Sequence, residues 1–128
     1  MITQKIDTDE APIAVGPYSQ GISVGDFVFT AGEIPVNPVT GEVPEAMEDQ
    51  IRQALDNVIA ILTKGGVPRK NVASVTVYLT DIRDFSTMNL IYAEYFEEPF
   101  PARSCVQVSA LPKGVRIMIS AVGIKESF

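Results

Sequence analysis

The chain reads as an α+β fold, a mixed β-sheet with two helices packed on one face. Three observations predict it. Segments 46–64 and 85–96 repeat apolar residues at helical spacing, whereas 72–80, 103–108 and 115–122 alternate every second residue. With a first strand after a Gly/Pro-rich loop, the order is strand, strand, helix, strand, helix, strand, strand, which suits helices segregated to one side of a sheet. At 128 residues a single domain, 1–128, buries a core without disulfide or metal support.

Residues 11–21 (Ala-Pro-Ile-Ala-Val-Gly-Pro-Tyr-Ser-Gln-Gly) form an ordered loop into the first strand, and a turn at Gly25-Asp26 introduces the second over 27–32. Asn37-Pro38 and Thr40-Gly41 mark turns in the next connection. In 46–64, Met47, Ile51, Leu55, Val58, Ile59 and Leu62 share one face and Glu48, Arg52, Asp56 and Lys64 the other, with Gly65-Gly66 as terminator. In 72–80, Val75, Val77 and Leu79 alternate with Ser74, Thr76 and Tyr78. Asp84 is the expected N-cap of 85–96, whose Phe85, Met88, Ile91, Tyr92 and Tyr95 turn inward. In 115–122, Val115, Ile117, Ile119 and Ala121 form one apolar face, yet Met118 and Val122 lie beside Arg116 and Ser120 on the other. A strand apolar on both faces is covered on both, so the face without helices is expected to pack on another subunit.

Composition excludes several chemistries. There is no histidine, which removes His-based acid–base catalysis, the Ser-His-Asp triad and His-ligated metal. A single cysteine, Cys105, excludes an intrachain disulfide and a Cys-x-x-Cys pair. A net charge of −6 with no Lys/Arg cluster argues against nucleic acid and anionic membrane. Neither a secretion-signal pattern nor a membrane-spanning run of about 18 apolar residues is present, so the expected location is the cytoplasm.

The chemistry concentrates in residues 101–112. Arg103, Cys105 and Gln107 fall on one strand face, and Val106 and Val108 on the other, between Pro101 and Pro112. A guanidinium on a rigid strand matches the two oxygens of a carboxylate with parallel hydrogen bonds. The same pattern also suits an arginine paired with a structural Asp or Glu.

Taken together, Ala11-Pro12 through Gly16-Pro17-Tyr18-Ser19-Gln20-Gly21, Ala31-Gly32-Glu33-Ile34-Pro35 with Pro38 and Thr40-Gly41-Glu42, Asp84-Phe85 with Asn89 and Tyr92, and Pro101-Ala102-Arg103-Ser104-Cys105-Val106 with Leu111-Pro112-Lys113 resemble the reactive intermediate (imine/enamine) deaminase family, Rid or YjgF, also known as L-PSP. The resemblance implies a chorismate-mutase-like fold and a homotrimer with three inter-subunit clefts. It also implies hydrolysis of 2-iminobutanoate, 2-iminopropanoate and similar reactive intermediates of amino-acid metabolism to 2-keto acids and ammonia, without metal or cofactor.

Residue by residue, Arg103 matches the arginine that grips the substrate carboxylate, and Cys105 the cysteine whose backbone contacts the imine nitrogen. Gly32 matches the glycine whose backbone positions substrate or water, and Tyr18 and Asn89 match residues lining the cleft. Structural roles stand beside these: Tyr18 as a loop closure, Asn89 bonded to its own helix, Cys105 as a small buried hydrophobe.

Three positions depart from the family pattern. Met118 stands where typical members carry the glutamate assigned to the catalytic water, and Ala31 and Glu33 replace Ser and Gln of the Ser-Gly-Gln-Ile-Pro motif. A thioether neither accepts a proton nor orients water as a carboxylate does, so weakened deaminase activity is expected. Glu33 is a candidate replacement carboxylate, although it belongs to a different strand region. The alternatives are a noncatalytic trimer that binds 2-keto acids, and more remotely a ribonuclease or translation inhibitor.

Overall fold

The last strand is the pivot of the sheet. In the computed structural model, which describes residues 3–126, six strands line up as β1 (Thr3–Ile6), β2 (Gly21–Val24), β3 (Phe27–Thr30), β6 (Ile117–Ile124), β4 (Val72–Leu79) and β5 (Ala102–Gln107). β6 thus lies between β3 and β4 and pairs antiparallel with both. β4 and β5 run parallel, which makes the sheet mixed and requires the crossover supplied by α2 (Phe85–Tyr95). The α+β architecture with two helices is as expected, and α1 (Met47–Lys64) is the longer of them.

Alternation decides which face is buried. Val75, Val77 and Leu79 of β4 and Ile117, Ile119 and Ala121 of β6 join Val28 in one core with Ile51, Leu55, Val58, Ile61 and Leu62 of α1 and Met88, Ile91 and Tyr92 of α2. Full burial of a side chain such as Ile51 or Leu55 stabilises by about 1.5–3 kcal/mol. Two buried polar residues of α1 tie down the chain that follows β3. Asn57, fully buried, donates its amide to the carbonyls of Ile34 (3.1 Å) and Val36 (3.0 Å). Gln50 donates to Pro44 O (2.9 Å) and accepts from Arg116 N–H (2.9 Å). Gly66, at φ 89°, supplies the left-handed residue after α1.

Several expectations are corrected. β1 has no counterpart in the sequence reading, because three of its four residues are exposed and only Ile6 reaches the core. The second strand stops at Thr30, where a side chain replaces the ladder: Thr30 Oγ1 accepts from Ala121 N–H at 3.0 Å and donates to Ala31 O at 2.8 Å. Asp84 precedes α2 but makes no side-chain cap, because its carboxylate is held by Arg116 at 3.1 Å. The cap is one turn earlier, where Asp81 accepts from Arg83 N–H at 2.9 Å. Phe85 is exposed, since it sits at the start of α2 beside the Arg103 side chain rather than over the core. No helix among the described residues is long and apolar enough to cross a membrane.

Candidate active site

The sequence-predicted residues gather in two places on the protomer. The first lies where α2 meets β5. Arg103 projects from β5 toward α2, with its guanidinium carbon 4.7 Å from the centre of the Tyr92 ring and 5.5 Å from that of Phe85. Its Nη1 lies 3.9 Å from Met88 Sδ. Among the described residues no carboxylate pairs with it, although Arg52, Arg83 and Arg116 each hold one at 3.0, 2.7 and 3.1 Å. The structural alternative raised for Arg103, an internal Asp or Glu partner, is therefore not found. Aromatic faces stabilise a cation without neutralising it, which keeps the fork available.

A cavity of about 370 Å³ opens beside it, lined by Arg103, Asn89, Tyr92, Ala93, Phe100 and Pro101. Asn89 makes no side-chain hydrogen bond among the described residues, so its amide is not spent on the helix backbone. The Tyr92 hydroxyl is buried without a partner among the described residues, and burial pushes its pKa up to about 12 against the opposing pull of the Arg103 charge. Cys105 shares the Arg103 face but packs against the core and lines neither this cavity nor the next. Burial raises its thiol pKa above the ordinary value, partly offset by Arg103, which disfavours the thiolate a nucleophile needs.

The second place is built by the loop before β2 and the chain after β3. Gln20, 2% exposed, is the loop's anchor. Its amide donates to the carbonyls of Thr8 (3.0 Å), Ala11 (3.2 Å) and Pro12 (2.7 Å), and its Oε1 accepts from Thr8 N–H at 2.7 Å. One side chain thereby satisfies four backbone groups of an irregular segment. Sequence reasoning quoted Gln20 only as part of a motif; a lone glutamine before an apolar strand gave no sign of that role. Tyr18 is half exposed, and its hydroxyl accepts from Val15 N–H at 3.4 Å, a loop closure of the kind raised as its structural alternative. Tyr18 and Gly32 line a cavity of about 270 Å³ together with Glu33 and Lys113.

Gly32 is glycine for a steric reason. A Cβ there would stand 2.8 Å from Met118 Sδ, so the thioether lies directly against the Gly32 backbone. After the interruption at Ala31-Gly32 the chain pairs again, Glu33 N–H donating to Ile119 O at 2.7 Å and Ile119 N–H to Glu33 O at 3.0 Å. Phe29 faces Val122 and Glu33 faces Ile119, four steps against three, so one extra residue is accommodated as in a β-bulge. That extra residue turns Glu33 to the side of Ile119, opposite to Met118. Glu33, from a different strand region as expected, is thus a sheet neighbour of β6. It is 5% exposed, makes no side-chain hydrogen bond or ion pair among the described residues, and burial alone lifts its pKa to about 8.

Arg103 and Asn89 are therefore brought together, as are Tyr18 and Gly32, but the two pairs line separate cavities of the chain. Among the described residues no cluster of three or more Cys, Asp or Glu side chains suits a metal ion.

Comparison with known proteins shows the family and the fold. Residues 8–125 match the family model described as "Endoribonuclease L-PSP". The chain is 46% identical over 127 residues to the Escherichia coli K12 protein named 2-iminobutanoate/2-iminopropanoate deaminase, covering 97% of this chain and 99% of that one. It is 52% identical over 122 residues to a RutC family protein of Pyrococcus horikoshii, covering 94% and 97%. The crystal structure of E. coli TdcF with bound serine superposes with a TM-score of 0.92 at 44% identity, covering 96% of this chain and 99% of that chain. A family match over nearly the whole chain, and relatives similar from end to end, show that this protein belongs to the Rid/YjgF family.

Proposed function

We propose that the protein is an imine deaminase, hydrolysing short 2-imino acids such as 2-iminobutanoate and 2-iminopropanoate to 2-keto acids and ammonia in clefts between the subunits of a homotrimer. The observation that carries this reading is the Arg103 guanidinium, held over two aromatic rings at a cavity and without a carboxylate partner among the described residues. A 2-imino acid supplies the missing carboxylate. Water adds to C2, the C=N electron pair moves to nitrogen, and the resulting carbinolamine releases ammonia as its hydroxyl becomes the new carbonyl. Holding the carboxylate fixes C2 relative to the water, which lowers the entropic part of the barrier. The name of the E. coli relative, a 2-iminobutanoate/2-iminopropanoate deaminase, supports this substrate class.

Two features support the trimer. Phe27 (51% exposed), Phe29 (44%) and Val106 (44%) present an apolar face on the side of the sheet away from the helices. The Arg103–Asn89 and Tyr18–Gly32 pairs line separate cavities, and a neighbouring copy can oppose one to the other.

A second reading, a noncatalytic trimer that binds 2-keto acids in the same clefts, is favoured by Met118, whose sulfur covers Gly32 and exchanges no proton. Ribonuclease activity finds little support in a chain of net charge −6 with no histidine. One assay separates the first two. A PLP-dependent threonine dehydratase generates 2-iminobutanoate, and semicarbazide traps what is not hydrolysed. The deaminase lowers semicarbazone formation; a pure binder does not, yet retains affinity for 2-ketobutyrate.

A further inference from the structure

We propose that the Glu33 carboxyl is the group that gives and takes the proton as water adds to the imine carbon and ammonia departs. The proposal rests on the deaminase reading above. It starts from Met118, a thioether packed against Gly32 that can neither donate nor accept a proton there. Of the hydroxyls at the two cavities, that of Tyr92 is buried, which pushes its pKa up to about 12, and that of Tyr18 already accepts from Val15 N–H. Glu33 is the carboxyl that lines the Tyr18–Gly32 cavity. It is 95% buried, and no side-chain partner among the described residues occupies its oxygens. The bulge at Ala31-Gly32 fixes its backbone between two hydrogen bonds to Ile119, so the carboxyl stands on a braced segment rather than on a free loop.

Its surroundings set its proton affinity. β6 offers the apolar Ile119 opposite, α1 offers the uncharged Asn57, and the titratable groups on the cavity wall are Tyr18 and Lys113. Burial with no offsetting charge raises the pKa to about 8, so near neutral pH the group holds its proton and can also return to that state within a turnover. In the first step the imine nitrogen takes the Glu33 proton while the water oxygen bonds to C2, and the carboxylate removes a proton from that oxygen. In the second the amine takes the proton, the C–N bond breaks, and the hydroxyl proton returns to Glu33 as C=O forms. One water is consumed, one ammonia leaves, and the carboxyl is regenerated.

The test uses the full chain in the dehydratase–semicarbazide assay. Glu33→Gln is expected to lower kcat by roughly 10²–10⁴ with little change in KM, and to remove the fall in wild-type activity above about pH 8. A Glu33→Gln protein with wild-type turnover and an unchanged pH profile overturns the proposal while leaving the deaminase reading intact. Absence of turnover by the wild type overturns both. A second measurement does not depend on the variant folding: infrared difference spectra of the wild type at neutral pH should show a protonated carboxyl band that shifts when 2-ketobutyrate is added. No such band, or one indifferent to the ligand, also overturns it.

Discussion

The guanidinium of Arg103 stands 4.7 Å from the centre of the Tyr92 ring, on a strand that places it over α2. Removing it in Arg103→Ala is expected to cost roughly 10²–10³-fold in kcat/KM, the equivalent of two charge-assisted hydrogen bonds to a carboxylate. Arg103→Lys keeps the charge but loses the fork, and should recover only part of the loss. Steady-state kinetics on freshly generated 2-iminobutanoate, with 2-ketobutyrate titration as the binding control, decides the matter.

Gly32 and Met118 share one space. Gly32→Ala drives a methyl to 2.8 Å from the thioether sulfur and should destabilise by about 1–3 kcal/mol, the usual cost of overpacking. Met118→Ala in the same chain should return most of it. A double-mutant cycle by urea unfolding measures the coupling, and additive effects would contradict the contact.

Asn57→Ala leaves the carbonyl of Val36 without its side-chain donor, while that of Ile34 keeps only the Val36 N–H at 2.8 Å. A loss of about 1–3 kcal/mol is expected from the one buried acceptor left unmet. Because residues 34 and 36 line the Tyr18–Gly32 cavity, activity should fall before the protein unfolds. Denaturant midpoints and turnover recorded on the same preparation check both.

Glu33 also makes stability depend on pH. Well below its ordinary value of 4.5 both the folded and unfolded chains hold the proton, and its contribution is complete. Between there and about 8 the unfolded chain has released a proton that the folded chain retains, so stability falls as pH rises. The slope is at most about 1.4 kcal/mol per pH unit. Urea unfolding of wild type and Glu33→Gln across this range, at one protein concentration, should show the slope in the first and its absence in the second.

Phe29→Asp places a charge on the apolar face away from the helices, where Phe29 is 44% exposed. Sedimentation should show a trimer for the wild type and a smaller species for the variant, with activity lost in parallel. A variant that sediments as the wild type would remove this face as the interface.

The sequence disclosed whatever periodicity could carry. Ile51, Leu55, Val58 and Leu62 in one helix, and Val75, Val77 and Leu79 in one strand, named the buried faces because a side chain's direction follows its spacing along regular backbone. Arg103 and Asn89 were legible as site candidates through the family resemblance, whereas the strand pattern by itself left Arg103 open to a structural carboxylate partner. β1 was not, since Thr3, Gln4 and Lys5 are exposed and leave no alternation to read.

What tertiary structure alone decided was the meaning of isolated polar residues. Gln20 became a loop anchor, Asn57 a buried tie and Asp84 the partner of Arg116 instead of a cap, each through groups distant in the chain. Glu33 is the clearest case: one extra residue between β3 and its pairing with Ile119 reverses the side on which the carboxyl falls. Local spacing dictates direction only while register is unbroken. A bulge, a crossover or a neighbouring helix resets it, and the energy that fixes the new setting comes from long-range pairing and burial.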